Sequence, residues 1–108
     1  MATSTPSGTR QGRWQTFSLA EQMGNIGSEV SRATRAEEGF PDRLQGAISR
    51  ALELFDMTLL DSRWRGRRIE IARARELFCD AALGGEIYRT TFASLQKYFD
   101  QFATARKT

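Results

Sequence analysis

Six arginines fall within thirteen residues of this 108-residue chain. We call this set the arginine strip: Arg63, Arg65, Arg67, Arg68, Arg73 and Arg75. Glu70 is the one acidic residue in that window, so its net charge is +5, whereas the rest of the chain carries −2. A guanidinium group is a planar set of donors that matches phosphate and carboxylate. A concentrated cationic segment beside a nearly neutral body therefore predicts a binding site for a polyanion or an acidic partner.

Trp64 lies inside the strip, and an indole ring among cations can stack on exposed bases. The strip covers a loop and a helix start, where free backbone amides also favour anions. Three interpretations stay open: docking on nucleic acid, RNA foremost; docking on an acidic protein surface; or a solvated face. In the third, the arginines pair with nearby carboxylates: Glu70, Glu76, Asp61 or Asp80.

The sequence contains no histidine and one cysteine, Cys79. Histidine-based acid–base chemistry, nucleophile–histidine pairs and histidine- or thiolate-ligated zinc are therefore excluded for this chain. No glycine-rich phosphate loop is present either. We accordingly expect a non-catalytic binding or accessory module with no metal site and no cofactor.

No apolar run approaches the roughly 18 residues that a membrane span requires, so no membrane association is expected. The N-terminal residues lack the apolar core of a secretory signal. A lone cysteine has no partner for an internal disulfide. Together these features predict an intracellular, cytoplasmic protein.

The chain is predicted to contain a disordered tail over residues 1–13 and a single four-helix domain over residues 14–108. Ser18 and Glu21 form a capping box that starts the first helix, and Gly39 with Pro41 ends it. Its apolar seam repeats every three or four residues: Leu19, Met23, Ile26, Val30 and Ala33. Its polar face is predicted to carry six residues: Glu21, Gln22, Asn25, Glu29, Arg32 and Arg35.

Three further helices follow from the same periodicity. The second runs from position 41 or 42 to position 60, with proline at its start. The third follows the first arginines of the strip and ends at Gly84-Gly85, and the fourth begins after Thr90 or Thr91. No strand-type alternation appears. Short connections between helices of this length predict an all-α, antiparallel up-down-up-down four-helix bundle.

Four residues are candidates for self-association. Gly24 and Gly27 lie inside the first helix, where each costs about 0.8–1 kcal/mol relative to alanine. Such a cost suggests that a neighbouring helix or chain approaches closely, although simple tolerance is equally compatible. Tyr88 and Tyr98 lie off the apolar seam of the last helix, and tyrosine is enriched at interfaces. We therefore expect a homo-oligomer.

Three segments carry a resemblance to known proteins: Trp14–Val30 (WQTFSLAEQMGNIGSEV), Arg75–Asp80 (RELFCD) and Ser94–Ala103 (SLQKYFDQFA). Over residues 14–106 the chain resembles a group of small uncharacterised prokaryotic helical proteins, which implies a defined helical fold. In size, class and charge it is also similar to the four-helix accessory proteins of diversity-generating retroelements and to HEPN-type nucleotidyltransferase partners. HEPN ribonucleases carry an arginine followed by a histidine, which this chain lacks. These analogies imply a polymerase or nucleotidyltransferase as partner.

Overall fold

The computed structural model describes residues 11–106, with side chains up to residue 102, and contains helices and no strand in that range. A short helical turn at residues 11–14 precedes the main elements. These are α1 (Leu19–Ala36), α2 (Pro41–Leu59), a 3-10 helix (Ser62–Arg67), α3 (Arg68–Ala82) and α4 (Phe92–Arg106). The prediction of an all-α protein is confirmed.

A helical turn lies within the last part of the segment that the sequence analysis assigned to the N-terminal tail. Residues 1–10 of the predicted tail lie outside the described residues, whereas residues 11–13 are helical. The Gln11 side-chain amide donates to the Met57 carbonyl at 3.1 Å, which attaches this turn to α2. Trp14 is buried, so the turn is part of the packed domain.

The predicted ends of α1 are confirmed. The Glu21 backbone N–H donates to the Ser18 hydroxyl at 3.1 Å, and the Ser18 N–H donates to the Glu21 carboxylate at 2.8 Å. This reciprocal pair satisfies two of the amides that a helix start leaves free. At the other end Gly39 has φ +117°, a conformation that favours glycine. Pro41 then opens α2 at its first position.

The loop between α3 and α4 is organised by the buried Asp80 carboxylate. It accepts backbone N–H groups from Ile87, Tyr88 and Thr90 at 3.0–3.1 Å. Burial alone would raise the pKa of Asp80, but the N–H donors outweigh it and hold the pKa below its ordinary 3.8. Gly84 and Gly85 end α3 in the left-handed region, as predicted.

The core lies between the four α-helices. α1 packs most extensively on α2 and α4, and smaller contacts join α2 to α3 and α3 to α4. Four phenylalanine rings meet at its centre, with neighbouring centroids 5.5–6.1 Å apart: Phe55, Phe78, Phe92 and Phe99. The apolar residues predicted for the α1 seam face this core.

Gly27 allows α1 and α4 to approach each other closely. A Cβ atom built on Gly27 would lie 2.8 Å from the Cβ of Phe99, closer than real Cβ contacts. Because the Phe99 Cβ is fixed to the α4 backbone, a side chain at position 27 would push the two helices apart. The close neighbour that the sequence pattern suggested for Gly27 is thus a helix of the same chain.

We expect Gly27→Ala to lower the free energy of unfolding by about 1–3 kcal/mol, since the steric conflict exceeds the gain in helix propensity. Gly46→Ala in α2 is the matched control. Its Cβ would meet only the flexible end of Arg50, at 3.2 Å, so we expect a gain of about 0.5–1 kcal/mol. Urea denaturation measures both. Equal effects of the same sign would contradict a helix contact that depends on Gly27.

Candidate functional site

A polar cluster joins the N-terminal turn, α1, the end of α2 and the start of the arginine strip. It contains six residues: Trp14, Gln22, Thr58, Asp61, Arg63 and Trp64. Trp14, Gln22, Thr58 and Asp61 are buried. Such a network stabilises a fold only where its members satisfy one another, and here each member has partners inside the cluster.

Gln22 is the centre of this cluster. Its side-chain Nε2 donates to the Trp14 carbonyl at 2.9 Å and to Asp61 Oδ2 at 3.1 Å. Its Oε1 accepts from the indole Nε1 of Trp64 at 2.9 Å. Because the Gln22 side chain is fully buried, each of these bonds replaces one that water would otherwise make.

Gln22 and Glu29 correct the sequence analysis. Both were placed on the polar face of the first helix, and both are buried. The spacing contained the signal: Gln22 lies three residues after Leu19 and four before Ile26, and Glu29 lies three after Ile26. Positions so spaced share the face of the apolar seam, but polar residue types concealed it.

Asp61 and Arg63 form the charged part of the cluster. Arg63 Nε donates to Asp61 Oδ1 at 3.0 Å, and Arg63 Nη2 donates to Oδ2 at 2.7 Å. The same Nη2 also reaches the Phe17 carbonyl at 2.7 Å. The hydrogen bond from Arg63 holds the pKa of Asp61 below its ordinary 3.8, against the opposing effect of burial. Arg63 is therefore a bridge within the fold, and its charge is compensated.

Trp64 is likewise engaged inside the protein. Its indole N–H donates to Gln22 Oε1, and the Arg63 guanidinium lies over the indole ring, 4.4 Å from the ring centroid. This cation–π contact covers one face of the indole. A base stacking on Trp64 would have to use the other face or displace Arg63.

The remaining arginines of the strip divide into two groups. Two form salt bridges: Arg67 with Glu70 at 2.7 Å, and Arg75 with Asp56 at 3.0 Å.

The other three, Arg65, Arg68 and Arg73, have no salt bridge with a described residue. Arg68 Nε donates to the Leu59 carbonyl at 3.1 Å, and Arg73 lies 5.7 Å from the centroid of the Tyr88 ring. Arg65 is exposed. The uncompensated charge of the strip therefore comes from these three residues.

The predicted self-association residues lie on two sides of α4. Gly24 and Gly27 line a shallow cleft of about 240 Å³ between α1 and α4. Tyr88 and Tyr98 line a larger groove of about 440 Å³ between α3 and α4. Burial raises the pKa of Tyr98, whose ring packs edge-on against Phe99 at 5.1 Å. The four residues do not form one surface, and self-association stays a prediction.

Neither a metal centre nor a membrane-spanning helix is found in the described part of the chain. Among those residues, no group of three or more His, Cys, Asp or Glu side chains could hold a metal ion. No helix between residues 11 and 106 is at once long enough and apolar enough to cross a membrane.

Comparison of the sequence with protein-family models, with curated proteins and with solved structures finds no match in any of the three.

We expect Gln22→Glu to lower the free energy of unfolding by about 3 kcal/mol or more. The substitution removes two donors and places a second carboxylate beside Asp61 in a buried site. Gln45→Glu makes the same chemical change at an exposed position of α2 and should alter stability by less than about 0.5 kcal/mol. Urea denaturation at pH 7 compares them. A similar small effect of both would show that the Gln22 network contributes little.

Acid should destabilise the protein through Asp61 and Asp80, whose pKa values are lowered in the folded state. Their stabilisation is present above the ordinary value of 3.8 and is lost as the pH falls through the lower folded-state values. Asp61→Asn should be less stable than wild type at pH 7 and should lose less on acidification to pH 2. Asp100→Asn, at an exposed site, should keep the wild-type pH profile. Identical profiles for all three proteins would contradict this assignment.

Proposed function

We propose that the protein is a non-catalytic binding module that docks on an acidic protein surface through the strip. An antiparallel up-down-up-down order of its four α-helices is part of this proposal. A four-residue connection between α1 and α2 and a nine-residue connection between α3 and α4 support that order.

The observation that carries this proposal is that two large, exposed aliphatic side chains lie beside arginines that form no salt bridge with a described residue. Leu60 is 68% exposed and Ile69 is 89% exposed. Leu60 directly follows Leu59, whose carbonyl holds Arg68, and Ile69 directly follows Arg68 in α3. Large aliphatic side chains and arginine together are typical of the centre of a protein interface. A phosphate group itself has no apolar surface that isoleucine could cover.

The strip is suited to a partner that presents carboxylates around an apolar depression. Arg65 and Arg68 would bind the carboxylates, and Ile69 would fill the depression. A nucleic-acid-processing enzyme, such as a polymerase or nucleotidyltransferase, is the partner class that the sequence analogies suggest. A homo-oligomer that uses the groove lined by Tyr88 and Tyr98 would present several copies of the strip to such a partner.

Nucleic acid, RNA foremost, is the second candidate ligand of the strip. It is favoured because the charges of Arg65, Arg68 and Arg73 are not compensated by a salt bridge with a described residue. In that case binding would depend on phosphate contacts alone. Removing two of the three arginines would reduce the slope of log K against log salt by about 1.4 to 1.8.

Two variants distinguish the candidates. Ile69→Ser removes apolar area without changing charge, and Arg65→Gln/Arg68→Gln removes charge without changing apolar area; Lys97→Gln is the control, on an exposed part of α4. Partners are recovered by affinity capture and measured by titration, and RNA binding is measured by fluorescence anisotropy at two salt concentrations.

For a protein partner, we expect Ile69→Ser and the double variant each to weaken binding at least tenfold, while RNA binds weakly to every form. RNA binding that is steeply salt-dependent, lost in the double variant and unchanged in Ile69→Ser would instead select the second candidate. If neither variant weakens the binding of a protein partner or of RNA, the strip is not the docking surface.

A further inference from the structure

A second cationic surface lies between the C-terminal half of α1 and the N-terminal half of α2, away from the strip. It is a cleft of about 450 Å³, within the size range of small-molecule sites. We call it the arginine cleft after the four side chains that line it: Arg32, Arg35, Arg43 and Arg50. Its other lining residues are Ala36, Phe40, Asp42 and Gly46.

Two of these guanidinium groups are held by a buried carboxylate. Glu29 accepts from Arg32 Nη1 at 2.8 Å through Oε2 and from Arg50 Nε at 3.1 Å through Oε1. Glu29 is buried, whereas the arginine side chains are 53% and 55% exposed. One carboxylate therefore positions two guanidinium groups from different helices, and each group keeps N–H donors that this bond does not use.

The other two arginines are also positioned by local contacts. Arg35 Nη1 donates to the Ser31 hydroxyl at 2.9 Å, and the Arg43 guanidinium lies over the Phe40 ring, 4.8 Å from its centroid. Neither contact neutralises the charge. A cluster of cations that is already ordered loses less side-chain entropy when it binds an anion.

Among the described residues, the carboxylates that line the arginine cleft or hold its arginines do not balance its charge. Asp42 lines the cleft and Glu29 lies behind it, so two carboxylates face four guanidinium groups. The excess of two positive charges calls for a ligand with at least two negative charges. One carboxylate can be satisfied by a single bidentate arginine, so four arginines exceed what an acidic side chain needs. A ligand with several oxygens and several charges matches them better.

We propose that the arginine cleft binds the diphosphate group of a ligand that carries two or more linked phosphates. Arg32 and Arg50, joined through Glu29, would hold one phosphate, and Arg35 and Arg43 at the rim would hold the other. Such a group occurs in free nucleoside diphosphates and triphosphates and at the 5′ end of a triphosphorylated RNA. This site is separate from the strip and does not depend on the function proposed for it.

Isothermal titration calorimetry of the full chain tests the proposal with four probes: pyrophosphate, a nucleoside diphosphate, a short RNA with a 5′-triphosphate and the same RNA with a 5′-hydroxyl. The variant is Arg35→Gln/Arg43→Gln, which leaves the Glu29 ion pairs intact. Arg13→Gln/Lys97→Gln is the control, because it removes the same charge at exposed positions outside the cleft.

We expect one pyrophosphate or nucleoside diphosphate per chain, at least tenfold weaker binding to the cleft variant, and less than twofold change in the control. A further gain for the 5′-triphosphate RNA over the free nucleotide would identify the RNA end as the source, and equal affinities would identify the free nucleotide. Absence of saturable binding would overturn the proposal. So would equal weakening of pyrophosphate binding in the control, since it indicates general charge attraction. Thermal unfolding of both variants verifies that they fold.

Discussion

The side-chain amide of Gln22 has no contact with solvent, so both of its N–H groups and its carbonyl oxygen need partners inside the protein. It finds them in three parts of the chain: the N-terminal turn through Trp14, the connection after α2 through Asp61, and the 3-10 helix through Trp64. Because the 3-10 helix leads directly into α3, this network also sets the position from which α3 departs. One buried amide therefore ties the N-terminal turn and the segment that leads into α3 to α1.

This constraint changes the chemical meaning of the arginine strip. In the sequence the strip is a run of cations beside an indole. In the structure Asp61 forms a salt bridge with Arg63, Glu70 forms one with Arg67, and Asp56 forms one with Arg75. A surface with three separated, uncompensated arginines attracts phosphate less strongly than six adjacent ones would. Exposed apolar neighbours then contribute more to the selectivity of the strip, and the proposal of a protein partner rests on two of them, Leu60 and Ile69.

The elements that local signals specify could be predicted from the sequence. The capping box at Ser18, the proline start of α2 and the two glycines after α3 each act within a few residues, and the structure has them all. The burial of Gln22 and Glu29 could not be read from residue type, since it depends on partners about twenty to forty residues away. The arginine cleft could not be predicted from one helix either. Arg32 and Arg35 share a face of α1, but only the packing of α1 against α2 brings Arg50 to the Glu29 carboxylate that also holds Arg32.

Two cationic surfaces at opposite ends of one helix have different consequences for binding. Arg43 lies near the start of α2, and Arg68 is held at its last residue, Leu59. α2 has 19 residues, which at 1.5 Å per residue is about 28 Å. A single phosphate or diphosphate cannot touch Arg43 and Arg68 at once. At physiological salt the Debye length is about 8 Å, so a ligand beside Arg43 is largely screened from the charge of Arg68. If both proposals hold, a diphosphate bound by Arg35 and Arg43 and a protein partner bound by Ile69 and Arg68 would occupy separate places on the protein.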